Sequence, residues 1–135
     1  METTLITKAV QLALEARKRA YVPYSRFRMG AAVGTETGVL IPGSLVANVF
    51  LGLAMGAERV ALFSTVAQGA GQPILLVLVS ARTDGRLTFP CGACLQVAQE
   101  LGGPDLQIVA RDLDGQQEVA TIKDLALRLP YKDNT

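Results

Sequence analysis

Cys91 and Cys94 are the only cysteines in the 135-residue sequence, and they stand in the stretch Phe89-Pro90-Cys91-Gly92-Ala93-Cys94. That stretch reads as a helix start. Pro90 has its φ preset for the first helical turn, Ala93, Val97 and Leu101 share one face, and Gly102-Gly103 closes the run. Thiols at i and i+3 in a first turn point the same way. The free N–H groups and the positive end of the helix dipole lower a thiol pKa there. Two thiolates side by side form half of a site for a soft divalent metal such as zinc. The same spacing serves a redox pair, and two cysteines also pack as small buried residues. Spacing alone leaves these three readings open.

The sequence contains no histidine. Ser-His-Asp and Cys-His catalysis are therefore excluded, and a general acid or base has to be a carboxylate, Lys, Tyr or Cys. One carboxylate stands out. The segment from Leu53 to Ala67 reads as a helix whose face (Leu53, Gly56 or Ala57, Val60, Phe63 or Ser64) is small and apolar, and its only charges are Glu58 and Arg59. A carboxylate beside a dithiolate zinc site can act as general acid and base toward a metal-bound water.

The remaining elements must position these two groups. Residues Thr3 to Ala20 read as an amphipathic surface helix, with Leu5, Ala9, Leu12 and Ala16 on one stripe and Thr3 or Thr4 as cap. Tyr21-Val22-Pro23-Tyr24-Ser25-Arg26-Phe27 is a loop whose aromatics either floor a pocket or plug the end of a core. Arg28 to Thr35 and Val39 to Ile41 form a hairpin about Glu36-Thr37-Gly38, ended by Pro42-Gly43. The continuous apolar run Ile74 to Ser80 reads as a strand covered on both faces, and Leu106 to Ala110 as a second. Thr121 caps a closing helix from Ile122 to Leu129. Helical crossovers imply parallel pairing among the later strands and helices on both faces of a sheet, hence a three-layer α/β/α domain spanning residues 1–135.

Half of the residues are apolar and 19% are charged, a high apolar share for a small domain, which points to surface covered in an oligomer. A net charge of +1 without a basic run gives no electrostatic capture of nucleic acid. The apolar runs stop short of a membrane span, no signal-peptide pattern is present, and two cysteines in C-x-x-C spacing suit a reducing cytoplasm.

Zinc deaminases carry an H-x-E…P-C-x-x-C signature in which the glutamate is not a ligand; nucleoside deaminases of this class have C-A-E in place of H-x-E. Three stretches here resemble the small cytidine deaminase family, its homotetrameric branch in particular. They are Tyr21 to Phe27 with Met29-Gly30-Ala31-Ala32, then Gly56-Ala57-Glu58-Arg59, then Pro90-Cys91-Gly92-Ala93-Cys94 with Gln96-Val97. The resemblance implies a three-layer sandwich on a mixed five-stranded sheet. It implies zinc held by Cys91 and Cys94, with Glu58 moving the proton between the water, the ring nitrogen and the leaving amine in a hydrolysis of a cyclic amidine C–N bond. It implies that Phe27 packs on the pyrimidine, that Ala57 lies near the base, and that Arg59 offsets thiolate charge. It also implies a homotetramer or homodimer, with Leu45 to Leu53 as the expected interface.

The departures bear on that chemistry. The family's third zinc ligand falls at Gly56, which has no side chain to offer, and two of its ribose-binding positions fall at Leu45 and Ala47. A catalytic zinc normally has three protein ligands and one open position. Zinc occupancy is therefore expected to be doubtful, and the deamination impaired or altered. The ligand is then a nucleoside or a less polar heterocycle. An active deaminase of cytidine or another amino-heterocycle, and a thiol redox protein, are the alternatives.

Overall fold

The computed structural model describes residues 2–130. In chain order the elements are α1 (Glu2–Lys18), β1 (Met29–Thr35), β2 (Leu40–Ser44), α2 (Ala57–Ala67), β3 (Pro73–Ser80), α3 (Gly92–Gly102), β4 (Gln107–Arg111), β5 (Gln117–Thr121) and α4 (Ile122–Leu125). The strands form one five-stranded sheet in the order β2-β1-β3-β4-β5. β3, the longest strand, is central and is uncharged and apolar on both sides. Leu76 packs under α2 and α3, while Leu75, Val77 and Val79 pack under α1. It pairs antiparallel with β1 and parallel with β4, and the parallel step is the one crossed by α3. The sheet is therefore mixed, with α1 on one face and α2, α3 and α4 on the other, as the three-layer reading expects.

Small residues set how closely the layers approach. α1 buries Ala9, Ala13 and Ala16, and a Cβ at Gly30 of β1 would run into the α1 backbone at Ala13 and Arg17. On the other face, a Cβ at Gly43 of β2 would run into Ala57 and Ala61 of α2. These close approaches bring the first turn of α2 onto the sheet, and that turn carries Glu58. Among the described residues no helix is long and apolar enough to cross a membrane.

Several local expectations change. α1 begins at Glu2, so Thr3 and Thr4 lie within the first turn instead of capping it. β2 runs through Pro42 and Gly43, which a sheet tolerates because β2 is an edge strand. α2 begins at Ala57, four residues later than expected. Leu53 closes a 3-10 turn, and the buried face is Ala57, Glu58, Ala61, Leu62 and Thr65, while Phe63 is exposed. α3 is capped by Cys91, so Pro90 precedes the helix, and it buries Cys94, Leu95, Ala98 and Gln99 with Ala93 in solvent. The closing helix stops at Leu125, and β5, an exposed edge strand, forms where no strand was read.

Candidate functional site

The expected pair of polar groups meets where α2 and α3 begin side by side. Cys91 is the N-cap of α3 and Cys94 lies in its first turn, with their sulfurs 3.6 Å apart. Cys91 is exposed and Cys94 is buried. Glu58 lies in the first turn of α2 at 3% exposure. A Cβ built on Gly56, the N-cap of α2, would sit 3.2 Å from Glu58 Oε1 and 3.4 Å from Cys94 Sγ. The Cα–Cβ direction at position 56 therefore aims between the carboxylate and the inner thiol. Arg59 lies near both groups, favouring the charged forms of Glu58 and Cys94.

The electrostatics separate the three acids. Burial pushes the Glu58 carboxyl above its ordinary value, against the pull of its own backbone N–H, the Cys94 thiol and the Arg59 charge. Burial likewise pushes the Cys94 thiol up to about 12, reinforced by the negative charges of Glu58 and Cys91. Burial acts upward on Cys91 too, but there it is outweighed. The backbone N–H groups of Cys94 and Ala93, together with the Cys94 thiol, hold Cys91 below its ordinary value. Without a metal the inner thiol is thus a neutral group beside a buried carboxyl.

The remaining expected site residues fall on adjoining segments. Val46 bridges to both Tyr21 and Met55, so Leu45 and Ala47 flank the strand-like link that leads into Gly56. The Leu45 carbonyl accepts the Tyr21 N–H at 2.9 Å, and the Ala47 N–H donates to the Tyr21 carbonyl at 2.8 Å. The Leu45 side chain is half-buried against the core beneath α2 and α3. Ala57 is fully buried against β2. Phe27 is half-buried ahead of β1, its N–H held by Ser25 Oγ at 3.1 Å, and it belongs to neither packing cluster.

Residues 3–110 match the family model described as the cytidine and deoxycytidylate deaminase zinc-binding region. The chain belongs to the cytidine and deoxycytidylate deaminase family. It is 39% identical over 116 residues to a cytidine deaminase of Halalkalibacterium halodurans, covering 86% of each chain. It is 41% identical over 96 residues to one from Mycobacterium tuberculosis, covering 71% of each. The crystal structure of the cytidine deaminase from Burkholderia pseudomallei superposes with a TM-score of 0.82 at 40% identity, over 88% of this chain and 94% of that one.

Against the deaminase family's zinc, the donor set is incomplete. Two thiolates at about 2.3 Å from a tetrahedral zinc lie about 3.8 Å apart, so Cys91 and Cys94 fit two corners. A side chain at position 56 would point beside Cys94 and Glu58, and glycine supplies no donor there. Among the described residues no group of three or more His, Cys, Asp or Glu could hold a metal ion. The residues present do not fit a zinc with three protein ligands.

One polar cluster was not anticipated from sequence. Asp112, just past β4, is buried and accepts Arg82 Nε at 2.8 Å and the N–H groups of Asp114 and Gln116 at 2.9 Å each. It joins the chain leaving β4 to the chain leaving β3. Asp114-Gly115 is a turn signal in the sequence, but no local pattern reveals the pairing with a residue 30 positions away.

Proposed function

We propose that this chain is a cytidine deaminase-like protein in which zinc-dependent hydrolytic deamination is impaired or altered. The observation that carries the reading is the geometry at Gly56: a side chain there would point between Glu58 and Cys94, and none exists. Cys91 and Cys94 remain as a metal half-site, Glu58 as the acid–base group and Arg59 as the cation that offsets thiolate charge. Phe27, Ala57, Leu45 and Ala47 line the substrate side. Apolar side chains at positions 45 and 47 leave buried sugar hydroxyls without partners, at a cost of about 1–3 kcal/mol each. The ligand is therefore a nucleoside bound weakly or a less polar heterocycle. The exposed apolar residues Val49, Phe50, Leu51 and Leu53 are covered in a homotetramer or homodimer, in the cytoplasm.

Two measurements test this. Elemental mass spectrometry on protein purified without chelator gives zinc per chain, and the absorbance change of cytidine on conversion to uridine gives turnover. The native chain falls well short of one zinc per chain and shows no turnover. Gly56→Cys supplies the missing thiolate, and zinc affinity rises by at least the roughly 10–100-fold that even an outer partner is worth. One zinc per native chain with cytidine turnover would sink the reading in favour of an active deaminase. That second reading draws on the retained, buried Glu58 and the intact cysteine turn. A thiol redox enzyme draws nothing from the family match or the relatives above.

A further inference from the structure

A second concave site shares no residue with the cysteine turn. It lies where α1 hands over to the loop before β1, a pocket of about 580 Å³ lined by Ala20, Tyr21, Val22, Pro23, Arg26 and Arg28. That volume holds one small ligand. The lining contains two arginines and no acid. The imbalance extends beyond it, because Arg17, Lys18, Arg19, Arg26 and Arg28 stand in a stretch without Asp or Glu, between Glu15 and Glu36. Among the described residues only Lys18 of these has a carboxylate partner, the exposed Glu15 at 3.5 Å.

Both lining guanidiniums have donors to offer an anion. Arg28 Nη1 donates to the Lys18 carbonyl at 3.0 Å and to the Ala20 carbonyl at 2.9 Å, which holds the group at the end of α1. Its Nε and Nη2 make no hydrogen bond among the described residues. Arg26 makes no side-chain hydrogen bond or ion pair among them either. Its backbone is left-handed, at φ 60°, and its N–H donates to the Val22 carbonyl at 3.0 Å. Glycine suits that conformation better than arginine, so the side chain can be removed there without disturbing the turn. The rest of the wall is held in place. The Tyr21 backbone is hydrogen-bonded to Leu45 and Ala47, and Val22 is buried.

We propose that this pocket binds the phosphate group of a small phosphate monoester, at a site separate from the deaminase site. The phosphate carries nearly two negative charges at neutral pH, which two guanidiniums match. Its oxygens accept the planar forks of Arg26 and Arg28, and the organic part lies against Tyr21, Val22 and Pro23. A carboxylate would bring half the charge. A nucleic-acid strand engages a groove that tracks successive phosphates, whereas these two arginines line one pocket. The site depends neither on zinc nor on turnover of cytidine.

Titration calorimetry on the full chain at fixed ionic strength tests this with ribose 5-phosphate, a probe that lacks a pyrimidine and so does not report on the deaminase site. Ribose, inorganic phosphate, acetate and a thymidine oligonucleotide are the comparisons. Ribose 5-phosphate binds once per chain and more tightly than inorganic phosphate, while ribose and acetate give no binding. Arg26→Gly weakens it by about tenfold or more, the worth of a charged hydrogen bond, and leaves the melting temperature of the free protein at or above the native value. Arg28→Lys keeps the charge and loses the fork, and it also weakens binding. Absence of ribose 5-phosphate binding, or native affinity in Arg26→Gly, would overturn the proposal. Inorganic phosphate bound as tightly as the ester would replace the ester by free phosphate. An oligonucleotide bound more tightly than the ester, with several chains per strand and a steep salt dependence, would make this face a nucleic-acid surface instead.

Discussion

Replacing Gly43 by alanine tests whether close contact between β2 and α2 is what seats the first turn of α2. The backbone at Gly43 is not left-handed, so alanine brings no conformational strain, and the entire penalty is steric. The added Cβ would lie 2.8 Å from Ala61 Cβ and 2.5 Å from Ala61 N, with the Ala57 carbonyl closer still. Carbon atoms in contact prefer about 3.5–4.0 Å, so the helix has to retreat by about 1 Å. None of these neighbours is a flexible side chain, and the strand opposite is fixed by its ladder to β1. Overpacking of this kind costs about 1–3 kcal/mol, and a gap approaching 1 Å beneath Ala57 and Ala61 forfeits up to about half of each dispersion contact there. We expect a loss near 3 kcal/mol. Gly34→Ala is the control. Its Cβ meets only the end of the Leu5 side chain at 3.3 Å and Leu40 Cδ2 at 3.5 Å, so its effect stays within about 1 kcal/mol in either direction. Urea unfolding at fixed protomer concentration reads both, with Gly43→Ala lowering the midpoint by more than about 1 M. Equal midpoints for the two variants would refute the close-approach argument.

Leu62 is fully buried and Phe63 is 46% exposed, so the observed face of α2 predicts a loss of about 2–5 kcal/mol for Leu62→Ala and a much smaller one for Phe63→Ala. The reverse order in thermal or urea unfolding would restore the face read from sequence. For Asp112, burial alone would raise the carboxyl pKa, but the N–H groups of Gln116 and Asp114 and the Arg82 guanidinium outweigh it and hold the carboxyl below its ordinary value. Its contribution to stability is thus complete above the unfolded value of about 3.9 and is lost as pH falls through the lower folded value. The gap in melting temperature between the native chain and Asp112→Ala should narrow below that point, and a gap constant down to the folded value would contradict the assignment.

The strands that sequence reasoning found are those whose burial is written in composition. Ile74 to Ser80 has no charge and too few residues for a helix, so only a strand covered on both faces accommodates it. Gln117–Thr121 is mostly exposed at the sheet edge, and its polar residues carry no burial signal; its pairing with β4 makes it a strand. The face of α2 was misread because Ala57, Ala61 and Thr65 pack through being small, opposite Gly43, while the larger Phe63 and Val66 stay outside. Size ranks residues by hydrophobicity, whereas close layers select for the absence of volume. The cysteine pair and Glu58 stand out by residue type and spacing, but that they meet in one site is legible only through resemblance to a family. Nothing in the spacing of Glu58 and Cys94 states that α2 and α3 start together; that follows from both helices crossing the same sheet face.

The order in which the chain is made gives the placement of α3 a temporal meaning. Its buried residues Leu95 and Ala98 belong to a core that also needs Leu106, Ile108 and Ile122. All three are synthesised after the cysteines. Chains emerge from the N-terminus, and parallel pairing such as β3 with β4 is slow to form. Until those residues leave the ribosome, Leu95 and Ala98 have only part of their core to enter. The seating of α3 is thus completed only once β4 and α4 have been made.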